Sequence, residues 1–196
     1  MSLGVGHTDA LRGLRVVAHP LRLRMLSLVT AQPMSASELA RELGVSHALA
    51  SYHLRELGKA AVVEVAERRS HRGGREVRYR YRPPLPTNGA VPSGVNGTTL
   101  PETLVLFAEA LSTELRRRSA GASPLPGLSP LVADAQLWLT PSDWAELRRG
   151  LDLEVRRIHE LAKAPHSTGT VCVSISAAAF EVATELPGRS DKLGQR

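Results

Sequence analysis

Apolar positions recur at helical spacing twice between Ser35 and Leu57, either side of one glycine. Ser35 and Glu38 have the S-x-x-E spacing of a capping box, which predicts a helix carrying Leu39, Ala40 and Leu43 on its apolar face. Gly44 stands where a left-handed residue ends that helix, and Ser46 is placed to cap the next. The second helix has Leu49, Ala50, Leu54 and Leu57 on one face and Ser46, His47, Ser51, Tyr52 and Arg55 on the other. Two short amphipathic helices joined at a tight glycine turn make a helix-turn-helix unit. Two helices are predicted ahead of it. From Thr8, Leu11, Leu14, Val17 and Ala18 share a face until His19-Pro20 ends the helix. Pro20 then starts another that runs to about Thr30, with Leu23, Leu26 and Leu28 or Val29 inward, Arg22 and Arg24 outward, and Pro33 beyond its end.

After Leu57 the period changes. Val62 to Glu67 is β-branched with interspersed charge and reads as a strand, Arg68 to Gly74 as a turn, and Arg75 to Arg82 as a second strand. In that strand Val77, Tyr79 and Tyr81 alternate with Arg78, Arg80 and Arg82. A helix-turn-helix followed by a hairpin with a basic tip is a winged helix. Like charges facing each other across strands repel, so this many arginines read as phosphate contacts, not as a structural device.

Residues 83–99 are rich in Pro, Gly, Asn, Ser and Thr and read as a linker. Residues 100–119 predict a helix opened by Pro101, with Leu104, Phe107, Ala108, Leu111 and Leu115 on a stripe and three arginines in its last turn. Gly121 to Pro130 reads as a second linker. Beyond it, residues 131–186 predict a small β-α-β domain of unassigned role. Its strands are 133–139 and 170–176, and its helix starts at Thr140 with Trp144, Leu147, Leu151, Val155, Ile158 and Ala162 on one face. Two strands are marginal alone, so they must join another sheet, an equivalent chain or the helix at 100–119. Residues 187–196 read as a frayed tail. The expected fold class is therefore α+β: a winged helix-turn-helix at 8–82, a helical connection and a C-terminal β-α-β element.

Charge is unevenly divided over the 196 residues. Residues 1–82 carry 14 Lys and Arg against seven Asp and Glu, a net of +7, and the remainder has −1. Confinement of the excess to the winged-helix half is the electrostatic footprint of a nucleic-acid partner. Aromatic platforms for stacking RNA bases are absent, so the expected nucleic acid is double-stranded DNA. There is no long apolar run for a membrane span and no signal-peptide pattern, which predicts a soluble, cytoplasmic protein. The single cysteine, Cys172, excludes a disulfide framework and a multi-cysteine zinc site. No nucleophile elbow, P-loop or dinucleotide fingerprint occurs, and no enzyme activity or cofactor is expected. Neither His19, His47 and His53 nor His159, Glu160 and His166 have a ligand spacing, so no metal site is expected.

Ala18-His19-Pro20-Leu21-Arg22, Leu39-Ala40, Ser51-Tyr52-His53-Leu54 and the hairpin Gly74-Arg75-Glu76-Val77-Arg78-Tyr79, in that order, resemble the ArsR-type winged-helix transcription regulators. The resemblance covers about residues 8–82. It implies a homodimer on an inverted repeat, usually a repressor relieved by a ligand. It puts Ser46, His47, Ser51, Tyr52 and Arg55 on the recognition helix and turns His53 and Leu54 toward the protein. The wing would bring Arg68, Arg69, His71, Arg72 and Arg75 to phosphates, and the stripe Leu104, Phe107, Leu111 and Leu115 is the expected dimer contact. Two departures stand out. Ala61 occupies a position where the family often has glycine. The helix before the turn also lacks the cysteine pair of the thiolate metal sensors, which excludes metal sensing by that route. The alternatives left open are a winged-helix protein-interaction module and a regulator whose C-terminal domain senses a small molecule.

Overall fold

The computed structural model describes residues 13–71, 74–82, 99–123, 126–127, 130–131 and 133–182. The first helix is described as α1 over 13–17, its predicted start at Thr8 lying outside those residues. It is followed by α2 (Pro20–Ala31), β1 (Met34–Ser35), α3 (Ala36–Leu43), α4 (His47–Lys59), β2 (Val63–His71), β3 (Gly74–Tyr81), α5 (Leu100–Ser119) and α6 (Pro141–Leu161). Helices and one three-stranded antiparallel sheet, ordered β1-β3-β2, make the chain α+β.

The predicted punctuation is present. Ser35 and Glu38 form a complete capping box, Gly44 ends α3 at φ 66°, and the Ser46 hydroxyl caps α4 through the Leu49 N–H. Ala50, Leu54 and Leu57 of α4 meet Met25 and Val29 of α2, Leu39 of α3 and Val63 of β2 in one core. The inward face of α2 therefore rests on Met25 and Val29, four residues apart. Two expectations shift at this core. Leu49 is exposed on α4, and Arg22 is not outward: its guanidinium is drawn in by the Val16 carbonyl (2.8 Å) and by His53 (3.1 Å).

The hairpin is longer than predicted. Strand β2 runs on to His71, so Arg68, Arg69 and His71 belong to a strand and not to a turn. Residues 72–73 lie outside the described residues, and so does the linker over 83–98. A bulge between Val65 and Glu67 changes which residues share a face. On one face Glu64 then opposes Arg80, Glu67 opposes Arg78 and Arg69 opposes Glu76. Acid sits opposite base in every one of these cross-strand pairs, which reverses the expectation of repulsion. Opposite charges so placed favour the pairing of the two strands. The opposite face carries Val63, Val65, Tyr79, Tyr81 and Val77, then Arg68 toward the tip.

Helix α5 starts at a second capping box, Thr99 with Glu102. It packs on α2 of its own chain, through Thr103, Ala110 and Glu114, which are buried, with Leu104, Phe107 and Leu111 half-buried beside them. The predicted dimer stripe is thus largely used within the chain, while Ala108 and Leu115 are exposed. Small side chains at 103 and 110 allow close approach, and Arg117 (2.9 Å) and Arg118 (3.5 Å) neutralise the Glu114 carboxylate.

The C-terminal element departs most. Helix α6 forms as predicted from Thr140, but it buries no residue completely. Residues 133–139 and 170–176 form no ladder, to each other or to the wing sheet. Two short segments with no third strand lack the partners that stabilise a sheet. Residues 183–196, including the expected tail, lie outside the described residues.

Candidate nucleic-acid interface

Helix α4 is anchored from behind and open in front. Behind it, His53 is 5% exposed, its Nδ1 accepts the Arg22 Nε–H, and its ring lies 4.8 Å from that of His19. His19 Nδ1 in turn accepts the Leu21 N–H and so caps α2. With both Nδ1 atoms accepting, each ring carries its proton on Nε2. Burial, then the nearby His19 and Arg22 charges, lowers the His53 pKa, while Glu56 pulls weakly the other way. Burial and Arg22 lower that of His19. This cluster of neutral imidazoles and one guanidinium ties α1, α2 and α4 together.

In front, Ser46, His47, Tyr52 and Arg55 are exposed and Ser51 is half-buried. The Tyr52 ring meets that of His53 edge-on at 5.1 Å, and the residue stays 46% exposed. Ala48 and Leu49 share this surface and were not assigned to it from the sequence. Their signal was the helical period: the buried set Ala50, His53, Leu54 and Leu57 turns positions 48 and 49 outward. Small apolar groups on such a face suit thymine methyls.

An ion pair adds to the β1–β3 ladder in tying the hairpin to the helix-turn-helix. Arg78 grips the Glu38 carboxylate with two bonds, Nη2 to Oε1 at 2.6 Å and Nε to Oε2 at 3.2 Å. Burial alone would raise the Glu38 pKa, but the Ser35 N–H and Arg78 outweigh it and hold the carboxyl below its ordinary range. Other arginines are likewise engaged: Arg80 with Glu64 at 2.6 Å and Arg69 with Glu67 at 2.7 Å. Of the predicted phosphate contacts, Arg69 is therefore held within the hairpin. Arg68 makes no ion pair among the described residues. His71 and Arg75 hold strand positions opposite Gly74 and Ser70, and Arg72 lies outside the described residues.

Away from this surface the predicted C-terminal histidines stay apart. His159 meets Tyr81 edge-on at 5.2 Å, and His166 reaches Glu42 of α3 at 2.9 Å. Among the described residues no helix is long and apolar enough to cross a membrane. A family model described as a helix-turn-helix domain matches residues 17–66, from the end of α1 into β2. No curated protein matches the chain. The chain carries a helix-turn-helix domain of the kind found in DNA-binding regulators of transcription.

Proposed function

We propose that this protein is an ArsR-like winged-helix regulator, probing DNA sequence through α4 and acting by binding, not by catalysis. The observation that carries this reading is the division of α4: Ala50, His53, Leu54 and Leu57 hold it in the core, and His47, Ala48, Ser51, Tyr52 and Arg55 face outward. A helix so held presents several polar groups of defined position to a major groove, as base reading requires. Arg68 and the residues at the wing tip supply phosphate contacts beside it. Repression is the mode implied by the resemblance: a dimer seated on its operator excludes other proteins from that site.

The reading includes a homodimer on an inverted repeat, since one recognition helix reads a half-site only. Because the inner face of α5 is occupied by α2, its outer face is the better contact. Val105, Ala108, Glu109, Ser112, Thr113 and Arg116 line a shallow groove along it. Small residues sit at the centre, with an acid one turn before and a base one turn after. An antiparallel copy crossing near Ser112 would set each Glu109 against the partner's Arg116.

The test has two parts. Selection of fragments from the native genome should return an inverted repeat with half-site centres about one helical turn apart. Charge reversal should then show a rescue: Glu109→Arg weakens the dimer in sedimentation, and Glu109→Arg with Arg116→Glu restores it. Selected fragments that share no sequence would end the regulator reading, and a double variant no better than the single would end the α5 pairing.

A further inference from the structure

Among the described residues twenty large apolar side chains are exposed, and fourteen of them lie between Leu131 and Val182. Two side-chain hydrogen bonds nevertheless tie the chain back there. The Trp144 indole donates to Glu181 at 2.8 Å, so the segment after α6 returns to the helix's N-terminal end. Arg118, at the end of α5, donates to Ser174 at 3.4 Å. Segments 133–139 and 170–176 therefore both lead toward one end of α6, as in a β-α-β unit, yet neither has a strand beside it. In the second, Val171, Val173 and Ile175 alternate with Cys172, Ser174 and Ser176, and all three apolar members are more than half exposed.

Residues 170–180 contain no charge, no proline and no glycine. Natural edge strands are protected from pairing by just those residues, and an edge without them is a template for another strand. The strand that is always present at equal concentration is the same segment of another copy. We propose that residues 170–176 pair antiparallel with themselves across a two-fold axis near Val173. This inference rests on the homodimer reading but not on α5 as its contact.

In that register Val173 meets its own copy, Val171 meets Ile175 and Cys172 meets Ser174. Apolar faces apolar and polar faces polar, which is what an isologous contact requires. Val171, Val173 and Ile175 supply the apolar side of that contact, and the exposed leucines of α6 add to the apolar surface around it. The two α6 helices would then cover one side of a sheet shared by both chains.

Cys172 is the only cysteine, so the full chain takes a single nitroxide label without substitution. Adjacent strands are about 4.8 Å apart and rise about 3.4 Å per residue, so the paired register puts the two labels within about 20 Å. The expected result is a dimer in sedimentation with that short distance in pulsed electron resonance. Val173→Asp with Ile175→Asp should abolish the short distance while circular dichroism keeps the winged-helix signal. A dimer whose labels lie beyond about 40 Å overturns the strand pairing and leaves the homodimer reading intact. Persistence of the short distance in the double variant overturns it as well. A chain that is monomeric both free and on its operator overturns both.

Discussion

His53 is on α4 but works from its buried side, and its chemistry gives the stability of the fold a pH dependence. Protonation would put a hydrogen on Nδ1, where Arg22 now donates, and the same change at His19 would remove the cap of α2. Both pKa values are lowered on folding from 6.5, so the unfolded chain binds more protons between that value and the folded one. The contribution of the two histidines to stability is therefore complete above about pH 6.5 and is lost as pH falls through this window. Thermal melts at pH 7.5 and 5.5 should show the loss, and His53→Asn, whose amide oxygen can stand where Nδ1 accepts from Arg22, should reduce it; an unchanged slope would contradict the part assigned to His53. Ala61 is a second residue whose role is conformational. It lies at φ 54° and completes a Schellman end to α4, with Val62 N–H bonded to Leu57 and Ala61 N–H to Gly58. Left-handed backbone costs a residue with a Cβ about 1–2 kcal/mol, and glycine loses about 0.4–1 kcal/mol more in ordering. Ala61→Gly should raise stability by up to about 1 kcal/mol in denaturant titration. The departure at Ala61 was legible in the sequence; that the backbone keeps the glycine conformation regardless was not, because Schellman bonds outweigh the strain.

At the scale of elements, the wing divides its arginines between two tasks. Arg69, Arg78 and Arg80 face acids across or along the strands, whereas Arg68 stands on the other face without an ion pair among the described residues. Arg68→Ala should weaken binding to all duplexes alike and make the log–log salt slope shallower by roughly 0.9 for each phosphate that Arg68 neutralises. Arg69→Ala should leave the slope unchanged and cost little stability, because its ion pair with Glu67 is exposed and screened. Anisotropy titrations over a salt series distinguish them, and equal slopes for both variants would erase the division. Arg78→Ala should cost more, about 1–2 kcal/mol, since its bidentate bond to Glu38 is partly shielded. Alternation in β3 was readable from Val77, Tyr79 and Tyr81. Its charge pairing was not, because a bulge at 65–67 shifts the register by one residue and so decides which charges meet. Rotation of α5 was hidden for a related reason: the face that packs uses Thr103 and Glu114 beside Ala110, and hydropathy does not rank a threonine or a glutamate as core.

The whole molecule has two grades of packing. From Val16 to Tyr81 the helices and sheet share one core, readable in advance because caps, periods and turns all agree there. Beyond Gly121 the local signals for α6 were as clear, but they describe an amphipathic helix without saying what covers it, and within one chain little does. In the first half a single residue belongs to both layers. Ser35 pairs with Arg78 in the sheet, and its hydroxyl and N–H close the capping box of α3. Arg78 returns to the same box through Glu38. Neither layer can open without breaking bonds of the other, so helix-turn-helix and wing form one cooperative unit. Amide exchange under native conditions should then give Leu39 of α3 and Tyr79 of β3 the same opening free energy, and Ser35→Ala should lower both equally. Separate values would mean that the wing can lift away from the recognition helix by itself.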